Sequence, residues 1–291
     1  APDMKLAADQ NFDGTNLMDI RVMSTLGLSD SEIEELRSVE GVEAVMPAYE
    51  TDAVAEIDGS QYVLRIHSFD VAVAKASDVS DCQTVRSDDP SYLNRLVLTE
   101  GEWPDGPDEC LLGEDVVMDT DVAVGDKVVL TEGTGDLSDT LKGTTYTVAG
   151  FARCSYYASP TNLGSTSLGS GVVDQFAFVP VEAFADDTPY TEAFLTVKGA
   201  RDQAASSAAY DETVAQVTER LNSMEGHFND VRAEDVKGSA QRELDEERER
   251  YEEEKANAQS QLDDAKAQLD AAKAQLDVSA EALTQSKQRL E

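Results

Sequence analysis

The clearest hydrophobic pattern of the chain is a row of leucines that recurs every seven residues near its end. Small residues follow the first four leucines at a distance of three, which is the spacing of the a and d positions of a coiled coil. No proline or glycine follows Gly238, so residues 237–291 are predicted to form one long coiled-coil helix. The predicted seam consists of Leu262, Ala265, Leu269, Ala272, Leu276, Ser279, Leu283 and Leu290.

The small residues at the d positions allow two helices to approach closely, which favours a tight two-helix pairing. The chain contains no second segment with this period. The partner helix is therefore either another copy of the chain or the returning arm of a helical hairpin beyond Glu291, and we expect the returning arm. Toward the body of the protein the pattern weakens, because Arg248 and Lys255 occupy a positions. We expect a charged and weakly paired stalk there.

Two stretches of the preceding chain show the order strand, helix, strand. In the first, residues 17–23 alternate between apolar and polar positions, as a half-buried strand does. A helix is predicted to begin at Ser29, where Glu32 completes a capping box. Residues 42–57 then form an extended region.

The second stretch repeats this order far downstream, after a predicted hairpin. Asp58-Gly59 is a two-residue hairpin turn, so residues 61–69 are predicted to return as the next strand. The repeated unit consists of a strand at 191–197, a helix at 210–221 and a strand at 228–236. Two such units indicate a ferredoxin-like fold. The helices of the two units end in similar sequences, but this similarity is also explained by the helix–glycine–strand turn, which is common in unrelated proteins.

These patterns together predict an α+β fold: a ferredoxin-like, split βαβ lobe of porter type with an inserted β-rich lobe, followed by the long coiled-coil helix. Short strands at 96–98, 128–131 and 145–151 mark the inserted lobe, and the Ser- and Gly-rich residues 155–171 predict a flexible surface loop. The predicted division is a disordered N-terminal segment, or the artificial start of a cloned fragment, at 1–16, the porter-like lobe at 17–69 and 176–236, the inserted lobe at 70–175, and the coiled-coil helix at 237–291.

Net charge narrows the range of partners. The formal net charge is −36, of which residues 239–291, with 14 acidic and 8 basic residues, account for only −6. Such a body repels nucleic acid and anionic lipid headgroups, so neither is expected as a partner. The acidic surface is explained most simply as a solubilising surface.

The residues that usually carry catalysis or bind metals form no recognisable motif. No two of the three cysteines, Cys82, Cys110 and Cys154, have the CxxC spacing. They form either one disulfide and a free thiol or three buried thiols. The two histidines, His67 and His227, both fit structural roles. Nucleophile, P-loop and complete EF-hand patterns are absent from the sequence. We therefore expect no catalytic residue, no cofactor and no metal site.

Four fragments resemble one family in the order in which that family has them. They are DSEIEELRSVEGVEAVMP at 30–47, LTEGEWPDGPDECLLGEDVVMDTDVAVGDKVVL at 98–130, YTVAGF at 146–151 and FVPV at 178–181. The body resembles the MacB-type periplasmic core domain of FtsX-like ABC transporter permeases. This resemblance implies an extracellular location at the cell membrane, membrane spans before residue 1 and after the coil, and an ATPase subunit on another chain. The coil is a departure from the MacB pattern and resembles the coiled-coil insertions of large permeases in Gram-positive-type cells.

Two classes of function remain in contention after the resemblance. The first is a non-enzymatic extracellular domain that couples cytoplasmic ATP hydrolysis to substrate export, or to a cell-wall enzyme or lipoprotein, through the coiled-coil arm. The alternative is a secreted or surface-attached structural or adhesive protein whose coil sets its oligomeric state. A hydrolase with an unrecognised site ranks below both.

Overall fold

The computed structural model describes residues 2–77, 90–118, 120–157 and 163–290. The chain divides into two compact units, Ala1–Arg232 and Ala233–Glu291. The helices and strands are α1 (Pro2–Gly14), β1 (Ile20–Leu28), α2 (Asp30–Ser38), β2 (Val42–Ala48), β3 (Glu50–Ile57), β4 (Ser60–Phe69), α3 (Val71–Ala76), β5 (Leu96–Gly101), β6 (Glu109–Gly113), β7 (Lys127–Gly133), β8 (Thr145–Cys154), β9 (Gln175–Pro180), β10 (Tyr190–Val197) and α4 (Ala208–Leu290). The chain is thus α+β with two sheets and a long C-terminal helix, as the sequence predicted.

A three-stranded sheet in the first unit has the order β1-β10-β2, with both pairings antiparallel. Helix α2 connects β1 to β2, and β10 fills the gap between them, so this part is a split βαβ unit. The predicted capping box is confirmed: the Ser29 side chain accepts a hydrogen bond from the Glu32 backbone, and the Glu32 carboxylate accepts one from the Ser29 backbone at 2.7 Å. The apolar face of α2 then packs Ile33 and Leu36 into a core shared with Leu195 of β10.

A seven-stranded sheet has the order β5-β8-β6-β9-β4-β3-β7, and β7 also pairs with β8. Six of its strands therefore close into a ring, with β5 attached to β8. The predicted hairpin is confirmed, since β3 and β4 pair around Asp58 and Gly59, whose φ angles are +49° and +72°. Such positive angles at both turn residues match the right-handed twist of the flanking strands.

The predicted strand at 228–236 is wrong, because these residues belong to helix α4. Gly226 and Gly238 both lie inside α4, where each costs about 1 kcal/mol relative to alanine. Tertiary contacts offset this cost in the first unit. Phe228 packs against the core of the three-stranded sheet, and Arg232 Nε donates to the Leu26 carbonyl at 2.8 Å. Among the described residues this sheet therefore has three strands, where a complete ferredoxin-like fold would have four.

Two further features differ from the predicted division. Residues 2–14 form helix α1, although 1–16 were expected to be disordered, because polar side chains anchor the segment: Asn11 Nδ2 and Thr15 Oγ1 each donate to Ser155 Oγ at 2.9 Å. The seven-stranded sheet also joins β3 and β4 to the strands of the predicted insertion. The pairing of β3 with β7 unites them directly, and β9 connects β4 to β6; pairings between such distant segments leave no local pattern.

Candidate functional site

The predicted coiled-coil seam is exposed along its whole described length. Leu262, Leu269, Leu276 and Leu283 are between 50% and 75% exposed, and Ala265, Ala272 and Ser279 are exposed as well. The Leu290 side chain lies outside the described residues. A row of leucines with this exposure is an unsatisfied apolar surface, which is the property that a seam for a second helix requires.

A charged cluster that the sequence did not reveal lies between the two sheets of the first unit. It consists of Arg21, Glu50, Asp52, Arg65, His67 and Glu192. Arg21 bridges the sheets, because its Nε donates to Glu192 and its Nη2 to Glu50, both at 2.6 Å. The Arg65 guanidinium holds Asp52 in a bidentate pair, with both N–O distances 2.9 Å. These pairs are strong because the charges are shielded from water: the Glu192 side chain is 1% exposed.

The aromatic residues beside this cluster complete its burial. The Arg21 guanidinium lies 5.3 Å from the centre of the Tyr156 ring, a cation–π distance. His67 Nε2 is 2.5 Å from the Tyr157 hydroxyl, while its Nδ1 is 3.5 Å from Glu192. Burial raises the pKa values of both tyrosines, so they are neutral around pH 7.

Burial alone would raise the pKa of Glu192, but the adjacent His67 ring and the pairing with Arg21 outweigh burial. The pKa of Glu192 is therefore lowered from its usual value, and the side chain is an anion at neutral pH. Because this buried carboxylate is charged, it requires a positively charged partner, and Arg21 is that partner.

Glu50, His67 and Glu192 could also provide metal ligands, since one atom from each lies within 4.8 Å of the others. Arg21 argues against a metal there. Its guanidinium already donates to both carboxylates at 2.6 Å, and a divalent cation would have to compete with that positive charge. The cluster is better explained as an ion-pair network that joins the sheets.

One sequence signal could have found half of this cluster. A two-residue hairpin at Asp58-Gly59 pairs residues whose numbers add up to 117, which places Asp52 opposite Arg65 and Glu50 opposite His67. Opposite charges on paired strands are a recognised stabilising pattern. No such local signal leads to Arg21 or Glu192, because β1 and β10 are far apart in sequence.

A cavity of about 280 Å³ lies next to the charged cluster and is lined by residues from both sheets. His67 and Tyr156 belong to the cluster and to the cavity wall. Asn94, which is 7% exposed, also lines the cavity, and its Nδ2 has no hydrogen-bond partner among the described residues. A buried donor left without a partner costs about 1–3 kcal/mol, so the environment of Asn94 needs an explanation.

The two described cysteines are buried and free. Burial raises the pKa of both Cys110 and Cys154 to about 12, so neither thiol is a nucleophile at neutral pH. Cys82, the third cysteine of the sequence, lies outside the described residues. His227 is exposed on α4, 3.6 Å from Glu35.

The charged cluster and the cavity are built on a fold whose family can be established. The family model described as the MacB-like periplasmic core domain matches residues 3–222. The chain belongs to this family. The resemblance noted in the sequence is thereby confirmed: the chain is a MacB/FtsX-like extracytoplasmic domain of an ABC transporter permease. The predicted seam, 262–290, lies outside the matched residues of this MacB-like domain.

Solved structures of the same kind are similar to this MacB-like domain at low identity. One is the extracellular domain of the noncanonic ABC-type transporter YknZ from Gram-positive bacteria, with 12% identity, 70% of this chain and 87% of that chain covered, and a TM-score of 0.34. Another is the periplasmic region of MacB from Actinobacillus actinomycetemcomitans, with 10% identity, coverage of 70% and 76%, and a TM-score of 0.35. A comparison with curated proteins found no match. None of the helices in the described part of the chain has the length and apolar character needed to cross a membrane.

Proposed function

We propose that this chain is the non-enzymatic extracellular domain of its permease and that it conveys ATP-driven movement to the outside through the coiled-coil arm. The arm contacts either the exported substrate or an extracellular partner such as a cell-wall enzyme or lipoprotein. An ATPase subunit in the cytoplasm supplies the movement through membrane parts of the permease. The exposed leucine seam is the observation that carries this proposal.

The seam has enough apolar surface to bind a second helix. The four leucines have an average exposed fraction of about 65%. Complete burial of a leucine side chain contributes about 1.5–3 kcal/mol, so covering these four would stabilise a pair by about 5 kcal/mol from this side alone. We propose that a returning helix of the same permease covers the seam. A helical hairpin of this kind is stiff enough to transmit a displacement.

Hydrogen–deuterium exchange tests the pairing in the intact permease. We expect peptides covering 262–283 to exchange more slowly in the full permease than in the 291-residue chain, because a partner helix protects their amides. The double variant Leu269→Asp and Leu276→Asp removes that protection. Val278→Asp is the matched control: Val278 is 67% exposed on the same helix but occupies a c position, so protection is retained.

Two outcomes contradict the proposal. Equal exchange of the seam in the permease and in the 291-residue chain would mean that no returning helix covers it. A tight dimer of the 291-residue chain in sedimentation, abolished by the double variant, would instead support an oligomerising coil of a structural or adhesive protein. For the coupling itself, the assembled transporter should show different exchange in this domain with ATP and with ADP, and identical exchange would refute transmission.

A further inference from the structure

The charged residues of the last four heptads of α4 are segregated around the exposed leucine seam. Because the leucines occupy a, the e and g positions form the two rows that flank the seam and face a partner helix. In this chain of 59 acidic and 23 basic residues, all four basic residues between Leu262 and Glu291 lie in these two rows. None of the six acidic residues of the same segment lies there. The basic residues are Lys266, Lys273 and Lys287 at e and Arg289 at g.

These four cations are available to a partner, because the helix itself makes little use of them. All four side chains are exposed. Lys266 Nζ lies 3.9 Å from Asp263 Oδ1 on the same helix, but these side chains are 63% and 62% exposed, and such pairs contribute little to stability. Among the described residues, Lys273, Lys287 and Arg289 have no ion-pair or hydrogen-bond partner. Support of the isolated helix therefore does not explain why the cations follow the seam.

The same two rows carry the opposite charge upstream, within residues 245–254. The residues there are Asp245 and Glu252 at e and Glu247 and Glu254 at g. All four are exposed, and neither row contains a basic residue in this segment. A partner helix with acidic flanks is therefore attracted to 262–289 and repelled by 245–254. The change of sign limits the length of α4 on which such a helix can lie.

A second copy of α4 fits this charge pattern poorly. In a parallel pair in register, g of one helix faces e of the next heptad of the other, so Glu247 meets Glu252, while the lysines at e meet only glutamine or alanine at g. An antiparallel copy that sets its acidic residues 245–254 against the basic rows also brings Arg248 and Lys255, which occupy a positions, onto the seam. A cation at an a position lowers the stability of the pair. A helix of different sequence avoids both problems.

We propose that the helix covering the seam carries acidic residues at its own e and g positions along 262–289, so that ion pairs flank the apolar contact on both sides. Two observations support this: the exposed leucines require a second helix, and two rows of exposed cations lie beside them. The inference rests on the proposed function, because it specifies the charge of the returning helix of the permease. Charges at e and g set partner choice, so they select this helix over other apolar helices.

Binding of two synthetic helices to the 291-residue chain tests the charge of the partner. Both helices have four heptads with Leu at a and Ala at d, and they differ only in having Glu or Lys at every e and g position. Glu and Lys have similar helix propensities, so the two helices are matched. The readout is hydrogen–deuterium exchange of the amides in 262–283, because the acidic body attracts the Lys helix elsewhere in the chain.

The Glu helix is expected to protect 262–283 at a concentration about tenfold lower than the Lys helix at about 0.15 M salt. At about 1 M salt the Debye length falls to about 3 Å, and the preference should fall to about twofold or less. Residues 245–254 should stay unprotected, because their acidic rows repel the Glu helix.

Two triple variants that change the net charge equally identify the residues responsible. The first variant removes three cations beside the seam and consists of Lys266→Gln, Lys273→Gln and Lys287→Gln. In it the preference for the Glu helix should fall to about threefold or less. The second variant adds three anions at f, on the opposite face of α4, and consists of Ala267→Glu, Ala274→Glu and Gln288→Glu. In it the preference should remain about tenfold, since every leucine and every cation of the flanks is retained.

Equal protection by the two helices, stronger protection by the Lys helix, or protection by neither would overturn this inference. A preference that survives in the triple lysine variant would overturn it as well. The proposed function fails on a different result, which is equal exchange of the seam in the permease and in the 291-residue chain. A dimer of the chain alone in sedimentation, abolished by the triple lysine variant, would assign the acidic flank to 245–254 of an antiparallel second copy and would also overturn the inference.

Discussion

Removal of the Arg21 side-chain charge tests whether the charged cluster holds the two sheets together. Arg21 donates to Glu50 and Glu192 at 2.6 Å, and the Glu192 side chain is 1% exposed. In Arg21→Met, the aliphatic part of the side chain remains while both carboxylates lose their cation. Breaking a buried ion pair by removing one partner costs about 3–5 kcal/mol. Arg21 itself is 21% exposed, which lets water reach the vacated position, so we expect a loss of about 3 kcal/mol.

The fluorescence of the single tryptophan allows the loss of unfolding free energy to be measured in the first unit. Trp103 lies 6.0 Å from Phe69, in the core at the seven-stranded sheet, so its fluorescence reports on the first unit and not on the exposed helix. With a urea m value of about 2 kcal/mol/M, a loss of 3 kcal/mol lowers the unfolding midpoint by roughly 1.5 M. Circular dichroism at 222 nm would be dominated by α4 and is the less suitable probe.

Two further variants make the experiment decisive. Lys142→Met breaks an exposed pair with Asp186, whose side chain is 88% exposed, and should cost no more than about 0.5 kcal/mol. Adding Glu192→Gln to Arg21→Met removes the stranded charge and should recover at least about 1 kcal/mol, as expected for coupled residues. If Arg21→Met were no more destabilising than Lys142→Met, the cluster would not join the sheets in the way described.

Two other predictions concern the same unit. Because the pKa of Glu192 is lowered on folding, the stability that its charge contributes is complete above the unfolded pKa of about 4.5 and is lost as the pH falls through the folded pKa. The unfolding free energy, measured between pH 5 and pH 3, should therefore fall less steeply in Glu192→Gln than in the unchanged protein. An unchanged slope would contradict a lowered pKa of Glu192. Ser29→Ala removes the side-chain half of the α2 capping box and should lower the unfolding free energy by about 1 kcal/mol. Ser31→Ala, two residues later in the exposed first turn, should have little effect. Equal effects of the two variants in urea titration would show that the cap does not stabilise the helix.

The local elements of the fold could be predicted because their signals are short in sequence. Ser29 and Glu32 are three residues apart, and Asp58-Gly59 turns the chain within two residues, so both structures follow from local chemistry. The same hairpin contains the pairing of Asp52 with Arg65, which the residue numbers alone would have given.

The parts that could not be predicted depend on contacts between distant segments. The alternation in 228–236 is weak, and the residues remain helical because Phe228 finds a core position and Arg232 a carbonyl partner on β1. The cavity requires Asn94, Phe194 and Met46 to meet from three separate parts of the chain. No periodicity in the sequence encodes such a meeting.

The position of β10 between β1 and β2 has a consequence for folding during synthesis on the ribosome. About 140 residues separate the end of β2 from the start of β10, and both outer strands must wait for this central strand. At a synthesis rate of about 5–20 residues per second, that wait lasts roughly 7–30 s. During it, β1 and β2 have no shared neighbour, and the apolar side chains of Val42 and Val45 have no finished core. The nascent chain is therefore most open to aggregation or to chaperone binding before Tyr190–Val197 emerges, and a chain truncated before Tyr190 would keep that state permanently.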